Sequence, residues 1–240
     1  MCFDTDSLPP IPVISGASIS HDELVLTAED GNRFAAFAAT PDEPSATGIV
    51  ILPDVRGLYR FYEELALRFA ERGHAAIAFD YFGRTAGVKK RSDEFEYMPH
   101  VQQTTPEGVQ ADVAACVAWL REHGSTSIFT VGFCFGARNS WLAAASGHAL
   151  KGAVGFYGNP TVVMEHVERI EAPILALQAG ADANITAEMN EAFDHALTVE
   201  HEVVTYDGAP HSFFDRKQEE FADASSDAWR RTLDFIAQHA

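Results

Sequence analysis

Cysteine is scarce in this chain, and its scarcity limits what can hold the fold together. Only Cys2, Cys116 and Cys134 occur in 240 residues. An odd number with long, irregular spacing gives neither a disulfide framework nor a zinc-type pair. Free thiols are typical of a reducing compartment, and Met1–Asp6 lacks the basic and apolar regions of a secretory signal. We therefore expect a cytoplasmic protein.

Basic side chains are also few. Seventeen Lys and Arg stand against 35 Asp and Glu, a formal net charge of −18. So negative a surface repels nucleic acids and anionic membranes, and we expect neither as a partner. No apolar run approaches the ~20 residues that span a bilayer. Because metal-ligand spacing is also missing, we expect no metal and no cofactor, and a small molecule as the partner. The oligomeric state is not indicated.

The first part of the chain predicts an antiparallel hairpin. A chain of this length can fill one α/β domain with a large core, so we expect residues 1–240 to form a single domain. Residues 1–20 are expected to be an extended N-terminal lead-in. Two alternating segments, 23–27 and 33–39, flank Asp30-Gly31, and this dipeptide is a hairpin turn signal.

From residue 48 onward the pattern changes to short apolar runs alternating with longer amphipathic segments. This alternation predicts a doubly wound, mostly parallel sheet covered by helices on both faces. Segment 84–106 is polar and without clear periodicity, and a connection that long is often functional, so it could cover or flank a site. The expected strands are 48–52, 75–79, 128–133, 152–156, 174–178 and 202–206, and the expected helices are about 60–72, 107–122, 136–146, 187–196 and 219–238.

The densest signal is Gly132-Phe133-Cys134-Phe135-Gly136, between a strand and a helix. This is the G-x-nucleophile-x-G elbow of the α/β-hydrolase fold, with cysteine in place of serine. The turn puts the sulfur near a helix N-terminus, which favours the thiolate. In this fold the oxyanion hole would use the backbone N–H groups of Phe135 and Val55. The alternative is that Cys134 is a buried structural thiol, which is how we interpret Cys116.

The partners of the nucleophile are predicted from chain order. In this fold the acid and then the histidine follow the nucleophile, each after a late strand. Asp182 follows the strand 174–178, and His211 follows the strand 202–206. Asp207 is a rival acid on the histidine's own loop. His195 on a helix and His201 at a strand start are poorer bases.

The chain resembles the dienelactone hydrolase (carboxymethylenebutenolidase) family of α/β-hydrolases. The resemblance covers about residues 23–238 and rests on four segments: Gly-Phe-Cys-Phe-Gly at 132–136, Gly-Ala-Asp at 180–182, Pro-His-Ser-Phe at 210–213 and Arg-Thr-Leu-Asp-Phe-Ile at 231–236. It implies hydrolysis of small lactones or esters through an acyl-cysteine intermediate.

The resemblance also implies roles for residues outside the triad. The family's glutamate, which interacts with the thiol, falls at Asp54, one methylene shorter. The family binds a substrate carboxylate with arginines, and Arg84 matches one of them. The second would fall at Asp215, with Arg216 beside it, so the anion-binding pair is incomplete. We therefore expect a small ester or lactone, which could bear a carboxylate, rather than one particular dienelactone.

Two other functions stay open from the residues alone. One is a thioesterase or another acyl hydrolase of the same fold. The other is a non-catalytic α/β-hydrolase scaffold that binds a ligand or senses oxidants through Cys134. A sensor thiol needs no acid aimed at a histidine, so the pair Asp182 and His211 favours an enzyme.

Overall fold

An eight-stranded sheet runs through the described part of the protein. The computed structural model describes residues 4, 6–43, 45–215 and 220–240. Within these residues the strand order is β1-β2-β4-β3-β5-β6-β7-β8. The first strands are β1 (Ile19–Thr27) and β2 (Arg33–Pro41). They pair antiparallel from Ile19↔Pro41 to Thr27↔Arg33, which confirms the predicted hairpin.

β1 starts four residues earlier than predicted, so it takes up the end of the expected lead-in. Residues 19–22 carry no apolar alternation because this edge strand is largely exposed along its length. The additional residues of β1 are held by backbone pairing with β2 rather than by contacts of their side chains. β2 in turn pairs antiparallel with β4.

The remaining pairings are parallel, as predicted. β3 lies between β4 and β5, and β6, β7 and β8 follow in order. Their carboxyl ends therefore meet at one edge of the sheet, where α/β proteins bind ligands. The strands are β3 (Thr47–Leu52), β4 (Ala75–Phe79), β5 (Ser127–Phe133), β6 (Gly152–Phe156), β7 (Ile174–Ala179) and β8 (His201–Tyr206).

Helices connect these strands. The five predicted helices are present; the one at 187–196 has the predicted bounds, and the others are shifted at one or both ends. The predicted start of the last helix, residue 219, lies outside the described residues. Three four-residue helices were not predicted because they are too short to show a period. The helices are α1 (Arg60–Ala70), α2 (Gly83–Ala86), α3 (Met98–Val101), α4 (Pro106–Glu122), α5 (Phe135–Ala143), α6 (Thr161–Met164), α7 (Ala187–Ala196) and α8 (Ala222–His239), with a 3₁₀ turn at Val167–Arg169.

The two faces of the sheet bury separate hydrophobic clusters. Successive side chains of a strand point to opposite faces, and Ile49 and Ile51 pack on the side of α1 and α8. Val50 and Leu52 pack on the side of α4. All four side chains are fully buried, so the sheet is covered on both faces. Among the helices described, none combines the length and apolarity needed to cross a membrane.

Candidate active site

Cys134 occupies a sharp turn between β5 and α5. Its backbone lies at φ 53° and ψ −109°, a strained conformation for a residue with a side chain. A Cβ on Gly132 would come within 2.1 Å of the Gly136 carbonyl oxygen, and a Cβ on Gly136 within 2.0 Å of the Leu52 carbonyl oxygen. Both glycines are therefore required where the strand, the helix and the neighbouring loop meet.

The same turn presents the Cys134 side chain at the amino end of α5. Cys134 is the N-cap residue, and its own backbone N–H donates to the Phe156 carbonyl at 2.9 Å. The residue is partly buried, whereas Cys116 is fully buried within α4. The positive end of a helix dipole favours an anion such as a thiolate, so Cys134 is the reactive candidate of the two.

Asp182 and His211 form a direct pair. The Nδ1 of His211 lies 2.5 Å from Oδ2 of Asp182, and the Asp182 side chain is 1% exposed. The other oxygen of Asp182 accepts the Asn184 backbone N–H at 2.8 Å. Although burial works to raise the pKa of Asp182, the hydrogen bonds with His211 and Asn184 outweigh it, and the net shift is downward. An ionised carboxylate thus orients the imidazole.

The loops after β7 and β8 hold this pair together. The Gly180 N–H donates to the Tyr206 carbonyl and the Ala181 N–H to the Ala209 carbonyl, each at 2.9 Å. These bonds continue the β7–β8 pairing beyond the strand ends. Phe213 and Phe214 are fully buried and anchor the loop that carries His211.

Cys134 and His211 line the same open cavity of about 340 Å³. The two predicted oxyanion residues, Val55 and Phe135, also line it. Four of the seven predicted site residues are therefore brought to one cavity, and Asp182 reaches it through His211. Their catalytic roles are still predictions. The lining residues are Val55, Met98, Val101, Cys134, Phe135, Arg138, Tyr157, Asn159, Asn184, Ile185 and His211.

Asp54, predicted to contact the thiol, has an arginine partner that the sequence analysis did not foresee. The buried carboxylate of Asp54 is 3.1 Å from Nε of Arg56 through both oxygens and 2.8 Å from Nη2. Its Oδ1 also accepts the Arg56 backbone N–H at 2.8 Å. The carboxylate is thus strongly engaged by Arg56, and a role at the sulfur stays a prediction.

Arg84, predicted to hold a substrate carboxylate, lies apart from this cavity. Its Nη2 pairs with Asp30 and its Nη1 with Asp112, each at 2.6 Å. It lines a different, smaller cavity of about 90 Å³ beside α4. Two acidic partners already neutralise its guanidinium, so a role as anion anchor for Cys134 stays a prediction.

Arg138 is the cationic residue that sequence reasoning missed in the cavity. It lies four residues after Cys134, one helical turn along α5, and that spacing was a usable signal. Its guanidinium is centred 4.5 Å from the Phe135 ring. Within the described residues no carboxylate forms an ion pair with it. Burial lowers the pKa of Arg138, and nearby Cys134 and Tyr81 only partly offset this, so an anionic ligand would stabilise it.

Tyr157 was missed as well. It follows β6 directly at φ 43°, and its ring centroid lies 5.1 Å from that of His211. Because it sits at the carboxyl end of the strand beside β5, its position could have marked it as a site residue. It forms the wall against which the imidazole rests.

The long polar connection 84–106 flanks the cavity, as the sequence analysis suggested. Met98 and Val101 on the short helix α3 line it. The connection is fixed at its base, where Arg91 pairs with the buried Asp80 at 2.7 Å. Met98 is 51% exposed, so this wall presents an apolar side chain to entering ligands.

Arg216, which stands beside Asp215 in the sequence, is outside the described residues. In the ranges that are described, no three histidine, cysteine or acidic side chains are grouped as metal ligands would be.

The sequence is similar to one family of known proteins. The sequence model of the dienelactone hydrolase family matches residues 34–240. A Yersinia pestis protein named "Putative carboxymethylenebutenolidase" is 28% identical, over 87% of this chain and 85% of its own. A Bradyrhizobium protein, "Probable 2-oxo-3-(5-oxofuran-2-ylidene)propanoate lactonase", is 25% identical over 92% and 96%.

A solved structure is similar over almost its whole length. The "Putative Dienelactone Hydrolase" from Klebsiella pneumoniae has a TM-score of 0.80 and 27% identity, covering 92% of this chain and 99% of its own. The sheet order and the strand-to-helix turn at Cys134 define an α/β-hydrolase. Within that class, the chain belongs to the dienelactone hydrolase family, whose members hydrolyse esters and lactones.

Proposed function

We propose that this protein hydrolyses small carboxylic esters or lactones with Cys134 as nucleophile, His211 as base and Asp182 as the orienting acid. The observation that carries the proposal is that Cys134 and His211 line one cavity while His211 holds a 2.5 Å contact with Asp182. A nucleophile, a base and a group that orients the base are the parts that covalent acyl transfer needs.

The reaction begins with transfer of the Cys134 thiol proton to His211. The sulfur attacks the carbonyl carbon, and the oxygen that becomes negative accepts hydrogen bonds from the N–H groups of Val55 and Phe135. The C–O bond breaks, and His211 returns the proton to the leaving alkoxide. For a lactone, that alkoxide stays attached to the acyl group.

Hydrolysis of the thioester completes the cycle. His211 takes a proton from water, the hydroxide attacks the thioester carbonyl, and the C–S bond breaks. The acid product leaves, the sulfur becomes a thiolate, and His211 still carries the proton that it took from water. Asp182 stabilises the positive imidazole in both halves, and the lowered pKa of Asp182 keeps it ionised for that role.

The cavity favours a small substrate with an apolar body and one anionic group. Val55, Met98 and Ile185 give apolar walls, and Arg138 gives a cation on the helix that follows the nucleophile. A carboxylate near Arg138 would relieve the cost of burying its charge. The lactonase name of the Bradyrhizobium relative supports a lactone among the substrates to be tried.

The test is the variant Cys134→Ala, assayed with p-nitrophenyl acetate and a panel of lactones. We expect turnover to fall by roughly 10⁴-fold or more, because nucleophile loss removes the covalent route. Cys116→Ala, which changes the fully buried thiol, is the matched control and should keep activity. With the native chain, brief acid quenching should trap an acyl group on Cys134 that mass spectrometry detects.

Two outcomes would contradict the proposal. Unchanged hydrolysis by Cys134→Ala would remove the cysteine from the mechanism. A native chain whose Cys134 reacts with iodoacetamide, but which hydrolyses no ester, thioester or lactone in the panel, would favour the sensor function. Preference for acyl thioesters over oxygen esters would favour the thioesterase.

A further inference from the structure

Arg56 joins two buried carboxylates that belong to different loops. Its Nη2 contacts Oδ2 of Asp54 at 2.8 Å and also Oδ2 of Asp215. The three side chains are each no more than 5% exposed. Asp54 lies in the loop after β3, and Asp215 lies in the loop after β8, four residues beyond His211. The guanidinium is therefore a bridge between the oxyanion side and the histidine side of the cavity.

The first of these loops is a tight turn with Val55 inside it. The Asp54 carboxylate accepts the Arg56 N–H at 2.8 Å, and the Gly57 N–H donates to the Asp54 carbonyl at 3.1 Å. The Asp54 N–H donates to the Tyr62 hydroxyl oxygen at 3.0 Å. The side chains on both sides of Val55 are thus held, so the direction of the Val55 N–H follows from where Arg56 is anchored.

The second loop offers a fixed anchor. His211 is bound to Asp182, and the Asp215 N–H donates to the Ser212 carbonyl at 3.0 Å. The Ser7 hydroxyl contacts the Asp215 carboxylate, and Arg56 Nη1 donates to the Asp4 carbonyl at 3.2 Å. Because the histidine loop is already held by the catalytic pair, a bond from Arg56 to Asp215 braces the Val55 loop against it.

We propose that Arg56 is a positioning residue, which holds the backbone N–H of Val55 at the oxyanion position by bracing its loop through Asp54 and Asp215. The inference rests on the proposed function, since only acyl transfer builds an oxyanion there. It assigns to Asp54 a role in shaping the loop.

The planar guanidinium is suited to this bridge in a way that a lysine is not. Arg56 presents Nε and Nη2 to Asp54 together while Nη2 also reaches Asp215. A lysine ammonium keeps the charge but is a single point and cannot reproduce the fork. Arg56→Lys should therefore preserve the charge balance of the cluster and loosen its geometry.

Two reactions of the same sulfur separate positioning from general damage. Acylation by p-nitrophenyl acetate develops an oxyanion, whereas alkylation of Cys134 by iodoacetamide is a displacement at a CH₂ carbon and develops none. In Arg56→Lys we expect kcat/KM for the ester to fall about 10- to 10²-fold, less than the ~10²–10³ of losing a donor outright. The alkylation rate constant at Cys134, followed by peptide mass spectrometry, should change less than about 3-fold.

Arg231→Lys is the matched control. Arg231 also bridges two carboxylates, Asp227 at 2.6 Å and Glu202 at 2.5 Å, but it lies on α8 away from the cavity. It should change neither rate constant. If Arg56→Lys does not fold, Asp215→Asn keeps the pair of Asp54 with Arg56 and should lower the ester rate constant several-fold, again without slowing alkylation.

The outcomes distinguish the two proposals. Ester hydrolysis that survives Cys134→Ala overturns the proposed function and this inference with it. If Cys134→Ala is inactive, equal losses of acylation and alkylation in the Arg56 or Asp215 variant overturn the positioning role alone. Unchanged acylation in both variants overturns it too.

Discussion

The loop after β3 and the loop after β7 contain the same local motif with different partners. In each, an aspartate Oδ1 accepts the backbone N–H two residues later at 2.8 Å: Arg56 for Asp54 and Asn184 for Asp182. The remaining oxygen of Asp182 meets His211, whereas that of Asp54 meets the guanidinium of Arg56. The local motif is therefore the same in both loops, and the partner of the remaining oxygen makes the difference: a histidine for Asp182 and an arginine for Asp54.

The two aspartates differ in whether the charge of the partner can change. In the proposed mechanism the partner of Asp182, His211, gains a proton, and the charge of Asp182 stabilises the positive imidazole that forms. Asp54 faces the Arg56 guanidinium, which stays protonated in proteins, so the charge of its partner does not change. Changing each carboxylate in turn is the most direct way to break the comparison.

The largest effect is expected from Asp182→Asn. The amide cannot stabilise a positive imidazole and favours the wrong tautomer, so kcat for p-nitrophenyl acetate should fall by roughly 10⁴-fold. Asp54→Asn is the matched change in the other loop and should cost less than about 10-fold, because the amide oxygen can still accept the Arg56 N–H. Steady-state kinetics of the two variants would check this. Equal losses would mean that Asp54 acts on the sulfur.

An effect on stability is expected from Asp215→Asn. Burial raises the pKa of Asp215 to about 6, and Arg56 only partly offsets it. The folded pKa lies above the ordinary value of 3.8, so the contribution of this group to stability is fully present below pH 4 and lost as pH rises through 6. An asparagine side chain cannot ionise, so it does not lose this contribution to stability as the pH rises. The free energy of unfolding of the variant, relative to that of the native chain, should therefore increase between pH 4 and pH 7.

Urea unfolding at pH 4 and at pH 7 measures that difference. At pH 4 the two chains should differ little, since the native carboxyl is then largely protonated. Asp112, whose pKa burial also raises to about 6, is present in both chains and cancels. A difference that is independent of pH would contradict a titrating Asp215.

A smaller effect is expected where one arginine faces the cavity and another is neutralised. Arg138→Met should raise KM for a carboxylate-bearing ester about 10- to 10²-fold, the worth of one charge-assisted hydrogen bond. For the matching neutral ester the change should be within about 3-fold. In Arg84→Met, whose guanidinium is paired with Asp30 and Asp112, both KM values should change by the same factor. A selective effect in that variant would support Arg84 as the anion anchor.

Most of the fold could be predicted because its signals are local. Apolar runs bounded by turn residues gave the six parallel strands, and Asp30-Gly31 gave the hairpin. The extra residues of β1 could not be predicted, since their pairing with β2 uses backbone groups that every sequence has. Helices of four residues, such as Met98–Val101, also leave no period to detect.

The site was predictable where chemistry and chain order coincide. Cys134, Asp182 and His211 each follow a strand in the order that the fold prescribes. Arg84 was predicted from its sequence position, which does not reveal that its guanidinium pairs with Asp112, 28 residues away in the chain. Arg138 had a spacing signal, but a helical arginine is usually a surface residue, and only the cavity showed otherwise.

By itself the sequence determined the class of sheet, the strained elbow and the candidate reacting groups, since each depends on neighbours within a few residues. Only the tertiary structure decided which carboxylate meets the histidine and which meets an arginine. Such pairings join residues as far apart as Arg56 and Asp215. Their geometry is set by how the loops pack at the sheet edge, which no local pattern records.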